Sequence, residues 1–382
     1  MFNTSRSARF FPELRAPFGR LLLTFCLSAL LIACGDEDVI TDPPPNAAAS
    51  AYILCEGTRG ADNSTLSRWS RDDEAVENEV FRRVNPGLRL GDTANDMLLI
   101  GDTVFVAVDG SRTIEYFNVQ SGAWLGRIMM PEDFSPRFLA GASSDQIWVS
   151  VALKHCVLPI NARASAAPPA DARIAVGAAP EKMALHGNLL AVANSGFGTV
   201  FRDHPDAGTV SIINTDTRSE LLKLRPGPNT TDVCFNRDGT RLFAHYLHLP
   251  GPDWPQNDSL AGIVEYSVDG WRELRRWRLA SVIYDLVYDA ERDLLFTVTL
   301  DGLARIDPNL NGDEIEIVYA KQDPETEHWY SLAYDSFQSE FWIGNARNFV
   351  VGGQVLRLKQ NGALLGRYEV GRNPGAFLFS GN

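Results

Sequence analysis

The sequence predicts an all-β fold, a seven-bladed β-propeller of four-stranded antiparallel blades. Three observations predict it. A unit of four short β-type runs separated by turn residues recurs along the chain, the runs are apolar enough to be buried, and the two ends of the repeat array are fragments that complete one another. The clearest unit starts with an A run at Ala179–Leu185 and turns at His186-Gly187-Asn188 into a B run at Leu189–Asn194. A C run at Gly208–Asn214 and a D run at Glu220–Leu224 complete it.

Upstream, one copy reads Asp96–Ile100, Thr103–Val108, Thr113–Asn118 and Trp124–Met129. A degenerate copy reads Pro136–Ala140, Gln146–Val151, His155–Ile160 and Arg173–Val176. Downstream copies start at Thr231, Tyr284 and Tyr330. The array opens on a B run, Tyr52–Glu56, with Ser64–Trp69 as C and Ala75–Phe81 as D, and no A run precedes them. It closes on an A run, Asn373–Phe379, with nothing after it. A last strand that supplies the missing A strand of the first unit closes a ring and leaves only short edges. A sandwich does not explain complementary ends, and an open solenoid would want polar caps.

Residues 1–33 read as an address label. Arg6, Arg9, Arg15 and Arg20 precede an apolar run, Leu21–Ile32, too short to span a bilayer comfortably. Its end, Leu31-Ile32-Ala33-Cys34-Gly35, resembles a bacterial lipobox, which implies lipidation at Cys34. Residues 34–51, with Asp36, Glu37, Asp38 and Asp42-Pro43-Pro44-Pro45, form an acidic, proline-rich tether, and residues 52–382 form the propeller domain. The acidic cluster resembles the surface-export signal of Bacteroidetes lipoproteins, so an outer-membrane, cell-surface location is expected, with a periplasm-facing one as the alternative. Removing residues 1–33 takes four Arg and one Glu, so the net charge of −13 becomes −16. Such a surface repels phosphate backbones, so no nucleic-acid partner is expected, and membrane contact is expected through the lipid anchor only. Cys55, Cys156 and Cys234 each lie in an apolar run and read as buried thiols, with one bridge left open.

Pro180–Asn194 with Gly208–Asn214 resembles the YVTN-type repeat of bacterial seven-bladed propellers. Three stretches, Ile53–Gly57, Gly91–Met97 and Ala193–Gly198, resemble Bacteroidetes surface lipoprotein propellers. That group includes the cobalamin-capturing lipoprotein seated on a TonB-dependent vitamin transporter. The resemblance implies ligand capture, with a corrinoid as first candidate and an outer-membrane TonB-dependent transporter as partner. The alanine- and proline-rich insertion within 155–169 departs from the repeat.

Blade geometry places the D-to-A and B-to-C connections on one face and the A-to-B and C-to-D turns on the other. The long insertions, 57–63, 195–207, 248–260 and 346–353, are B-to-C loops, so that face is the expected binding face. It would carry Arg59, Arg112, Arg137, Asn194, Phe197, His245, Tyr246, Trp254, Tyr284, His328, Trp329, Tyr330, Asn345, Arg347 and Phe349, aromatic planes with amides and guanidinium groups suited to a large, partly polar ligand or a protein loop. Trp148, Trp277 and Trp342 lie inside runs and are expected between blades.

Catalysis finds little support at this level. His245 and His248 fall on opposite faces of a strand, and Asp307–Asp313 imitates a calcium loop but has Val318 where a Glu is required. Glu181 and the Asp203-His204 pair suit acid/base work but lack a positioned nucleophile. The expectation is therefore a protein that is no enzyme and has no cofactor or metal, with a lactonase- or lyase-type propeller enzyme and a protein-binding scaffold as alternatives.

Overall fold

The computed structural model describes residues 50–380 except 144, 165, 167, 199, 248–260, 280–284 and 324–325. Seven four-stranded antiparallel sheets follow one another, six built of four strands consecutive in sequence and the first of three opening strands with the last strand of the chain innermost. Blade 1 contains β1 (Ser50–Cys55), β2 (Thr65–Ser70) and β3 (Ala75–Glu77), followed by a one-turn helix, α1 (Val80–Val84). Blade 2 is β4 (Ala94–Ile100), β5 (Thr103–Val108), β6 (Thr113–Asn118) and β7 (Trp124–Met129). Blade 3 is β8 (Leu139–Ser143), β9 (Gln146–Val151), β10 (Cys156–Asn161) and β11 (Ile174–Ala175). Blade 4 is β12 (Pro180–His186), β13 (Leu189–Asn194), β14 (Thr209–Asn214) and β15 (Ser219–Leu224). Blade 5 is β16 (Thr230–Phe235), β17 (Arg241–Tyr246), β18 (Ala261–Ser267) and β19 (Glu273–Leu279). Blade 6 is β20 (Leu286–Asp289), β21 (Leu294–Val298), β22 (Gly302–Ile306) and β23 (Glu316–Ala320). Blade 7 is β24 (Trp329–Asp335), β25 (Glu340–Asn345), β26 (Gln354–Lys359) and β27 (Leu364–Glu369), and β28 (Pro374–Ser380) returns to blade 1.

The ring closes as the repeat pattern predicts. β28 pairs antiparallel with β1, from Ser50 opposite Ser380 to Cys55 opposite Pro374. Phe377 and Phe379 of β28 pack on Trp342 of blade 7, and Trp342 meets Trp69 of blade 1 edge-on at 5.4 Å. The Arg357 guanidinium lies 4.0 Å over the Trp69 ring, so its charge stays solvated by π-faces and by Glu340 at 2.8 Å. The seam that joins the chain ends is thus packed like any other blade contact.

The second strands, β5, β9, β13, β17, β21 and β25, are apolar at successive positions because neighbouring blades cover both of their faces. Each apolar cluster lies between blades: Ile114 and Phe105 of blade 2 meet Val149 and Leu158 of blade 3. Trp148, Trp277 and Trp342 are fully buried, as expected. Cys55, Cys156 and Cys234 are free thiols.

The largest boundary differences from the sequence reading lie in blades 1 and 3. Blade 1's outer strand stops at Glu77, and Val80 and Phe81 sit in α1, where both are buried. The helical placement sends Phe81 down onto the blade 1–blade 2 core, which a continued edge strand would not do. In blade 3 the inner strand begins at Leu139 instead of Pro136, and the outer strand keeps only Ile174 and Ala175, since the inserted segment leaves little chain to pair.

β1 and β28 both run between the two faces, so Ser50 and Ser380 end together beside the A-to-B turn residues Gly101, Asp102 and Phe337. Both ends of the domain therefore lie on the short-turn face.

Candidate functional site: an axial cavity built by bulges

Five inner strands are regular toward the short-turn face and irregular at the other, whereas β8 slips at its short-turn end, between Gly141 and Ser143, and β20 pairs without a slip. In β4, β12, β16, β24 and β28 the register slips near the strand's start, leaving Asn95, Glu181–Lys182, Thr231, Tyr330 and Gly375 without a cross-strand partner. A β-bulge re-aims a side chain and commonly sits beside a functional site. Here all five bulges feed one cavity of about 210 Å³, which Glu56, Arg137, Phe138, Leu247 and Asp285 also line. At Gly375 an added Cβ would come 3.0 Å from the Glu56 carboxylate oxygen, so glycine keeps this side of the cavity open.

Below the bulges a ring of acids ties the blades together. Asp96 Oδ2 accepts from the Leu139 N–H of the next blade at 2.8 Å, Asp232 Oδ2 from Leu286 at 3.0 Å, and Asp285 Oδ2 from Leu332 at 2.8 Å. In blade 7 Ser331 takes that place and donates to the Pro374 carbonyl of blade 1 at 2.6 Å. In blade 4 it is Lys182, whose ammonium reaches Asp232 at 3.1 Å and Asp285 at 2.5 Å. Burial works against the charged ammonium, yet the two carboxylates hold its pKa above the usual lysine range. Burial also raises Asp232, against the pull of Lys182. Asp96, with burial outweighing its two backbone N–H donors, is pushed up to about 7.

Nearer the mouth, Glu56 follows β1 and, among the described residues, has no cation in hydrogen-bond contact. Asn95 Nδ2 donates to its Oε1 at 3.1 Å and the Tyr330 hydroxyl to its Oε2 at 3.0 Å. Burial raises the Glu56 carboxyl above its ordinary value, while Arg137 partly offsets this. Arg137 itself is held by Glu181 at 3.0 Å and Asp109 at 3.6 Å, with its guanidinium over the Phe138 and Phe197 rings. Ser195 Oγ donates to the other Glu181 oxygen at 3.2 Å. The cavity thus offers a carboxyl that holds its proton more firmly than an ordinary glutamate, a fixed cation and hydroxyl donors, a set that serves acid/base chemistry on a bound polar molecule.

Of the residues expected on the binding face, Arg137 and Tyr330 line the cavity. Phe197 stands over Arg137 with a left-handed backbone (φ 48°), and Phe349 abuts the Tyr330 ring at 5.8 Å. Arg59 is exposed and pairs with Asp109 at 3.3 Å, and Arg112 is exposed in a turn. His328, Asn345 and Arg347 line a separate cleft of about 580 Å³ between blades 6 and 7. Four side chains lie inside the scaffold instead. Asn194 donates to Thr209 and Ser211, and Tyr246 packs against Gly227 and Gly262. Trp329 stacks on Tyr319, while His245 is buried behind Thr231, where burial first and Lys182 second lower it to about 3 and keep it neutral. Cys34, Trp254, Tyr284 and His248 lie outside the described residues.

The calcium-like segment is a turn: the Asp307 carboxylate accepts from the Asn309 N–H at 2.9 Å, and Arg275 Nη1 donates to the Leu310 carbonyl at 2.6 Å. No cluster of three or more metal-ligating side chains occurs among the described residues. Sequence reasoning passed over Glu56, Asn95, Lys182, Asp232 and Asp285. One signal was present: an acid directly before an apolar residue at the head of an A run, in Asp96-Met97, Asp232-Val233 and Asp285-Leu286.

No family model matches the chain, and no curated protein matches its sequence. Solved structures share its fold. The periplasmic gluconolactonase of Pseudomonas aeruginosa superposes with a TM-score of 0.61 at 14% identity, covering 87% of this chain and 99% of that one. A provisional 6-phosphogluconolactonase of Bacteroides fragilis gives 0.62 at 13% identity, over 89% and 100%. Hydrazine synthase of Kuenenia stuttgartiensis gives 0.62 at 13%, over 74% and 88%. The class defined is the seven-bladed propeller, with lactonase-like propellers among its structural neighbours. These neighbours correct the expectation of a non-enzymatic chain. It rested on the want of a positioned nucleophile, but hydrolysis by water needs only acid/base groups, and the cavity's buried carboxyls were not visible as a cluster in sequence.

Proposed function

We propose that this chain is an exported, lipid-anchored propeller whose axial cavity hydrolyses a small lactone or related ester. The observation that carries the reading is the convergence of five bulges on one cavity containing Glu56, a carboxyl with a raised pKa hydrogen-bonded by Tyr330 and Asn95. In the reaction, ionised Glu56 takes a proton from water as its oxygen attacks the lactone carbonyl carbon. Arg137 steadies the negative charge that develops on the carbonyl oxygen. The ring C–O bond then breaks, and the departing oxygen takes the proton from Glu56, so the product is the open hydroxy acid. Proton release from D-glucono-1,5-lactone, followed in a pH-stat at constant pH, tests this. Turnover above the spontaneous rate is expected, and its absence across a panel of five- and six-membered lactones would end the reading.

A second reading, capture of a corrinoid and transfer to a TonB-dependent transporter at the cell surface, has its own support. The cleft between blades 6 and 7 is larger than the axial cavity, at about 580 Å³, and Phe349, Val350 and Val351 stand exposed on the adjacent loop. Quenching of tryptophan emission by micromolar cyanocobalamin is expected on this reading; an unchanged spectrum would remove it.

A further inference from the structure

The charges around the axial cavity point to the kind of molecule it accepts. Six carboxyl groups, those of Glu56, Glu181 and Asp285 in its lining and of Asp96, Asp109 and Asp232 behind it, stand against two cations in the lining, with the exposed Arg59 outside on Asp109. Both cations are already committed twice: Arg137 to Glu181 and Asp109, and Lys182 to Asp232 and Asp285. Among the described residues, an incoming phosphate or carboxylate would find no lining cation free to receive it and would lie among acids in a setting that screens poorly. The unmet demand is for donors. Asn95, only 3% exposed, gives its amide nitrogen to Glu56, and its Oδ1, at the cavity wall, has no hydrogen-bond partner. A buried acceptor left unpaired is costly, and a ligand hydroxyl would satisfy it.

We infer that the ligand of this cavity is an uncharged, hydroxyl-bearing ring, donating to Asn95 Oδ1 and Glu56, and that phosphorylated or carboxylated forms are refused. The inference rests on the lactonase reading for the site's chemistry and adds the substrate class. It separates this chain from any propeller acting on a sugar phosphate, because the selectivity follows from its own ion pairs.

The test is calorimetric titration of the protein with D-glucono-1,5-lactam, a lactone mimic that does not hydrolyse, and with the 6-phosphate of the same lactam. Lactone turnover is measured alongside. The neutral lactam is expected to bind at least a hundredfold more tightly than its phosphate. Asn95→Leu is expected to weaken the neutral lactam about tenfold while the melting temperature holds, and Asn95→Ser, which keeps an acceptor, to recover part of the loss. Equal or tighter binding of the phosphorylated lactam by a protein that still opens lactones would overturn the substrate class and leave the lactonase reading standing. Selective binding of the neutral lactam with no turnover would uphold the charge preference and remove the lactonase reading. Binding of neither lactam would overturn the inference.

Discussion

The two ends of the same inner strands are built by different rules. At the short-turn face β4, β12, β16 and β24 pair with their neighbours residue for residue, through Ile100 opposite Thr103, His186 opposite Leu189, Phe235 opposite Leu242 and Asp335 opposite Glu340. At the loop face the same strands slip register and bury charge. Regular pairing satisfies every backbone group locally and makes few demands on side chains. A bulge interrupts the ladder, and here acids such as Asp96 and Asp232 take up N–H groups of the next blade while the extra residue is turned to the axis. The difference teaches that these inner strands keep their own slips at the loop end, around the axial cavity, while outer strand pairs slip toward the C-to-D turns, as between Tyr116 and Phe117 and between Ile212 and Ile213.

The sharpest way to break that comparison is to remove the strand that carries the fifth bulge. Deleting residues 373–382 strips β1 of its inner partner and uncovers Trp342. Cooperative unfolding should be lost, seen by circular dichroism as a broad, sloping melt; a melt like the parent's would refute ring closure as the organising contact. Next in size, Lys182→Met leaves Asp232 and Asp285 facing each other without their shared cation. A loss of about 3–5 kcal/mol is expected in urea unfolding. It should shrink as acid protonates Asp232, whose burial raises its pKa, and an unchanged midpoint would show the charges to be solvated.

Third, Glu56→Gln keeps the shape of the cavity and removes the proton acceptor, so kcat for lactone opening should fall a hundredfold or more with the fold intact. Fourth, Asp96 holds its proton more firmly folded than unfolded. Between the ordinary aspartate value and about 7 the native state therefore binds more protons, and stability falls as pH rises through that window. Asp96→Asn should flatten this slope in melting temperature measured from pH 4 to pH 8. The smallest effect is that of Tyr330→Phe. Its hydroxyl lowers the Glu56 pKa by donating to the carboxylate. Without it the acid limb of the kcat profile, already above the usual glutamate range, should move further up, by less than one pH unit, with little change at the plateau.

Much of the regular half was legible in the sequence. Runs such as Thr103–Val108 and Leu189–Asn194 coincide with β5 and β13, because burial on both faces leaves an unbroken apolar signature. The complementary ends gave the closure, since an A run with nothing after it can pair only with a B run that lacks one. The irregular half was less legible. A slip of one residue at Asn95 or Thr231 leaves the apolar alternation nearly unchanged, so the bulges have no compositional mark. Glu56, Arg137, Lys182 and Tyr330 come from four blades, and only the ring brings them together. Aromatic character misled in places: Trp329 and Tyr246 stand near the loop face in sequence, but their area is worth more between blades than in contact with a ligand.

Ser50 and Ser380 end side by side on the short-turn face. Any attachment made through either end, whether a fatty acyl chain, a support bead or a fused fluorescent protein, leaves the opposite rim unobstructed.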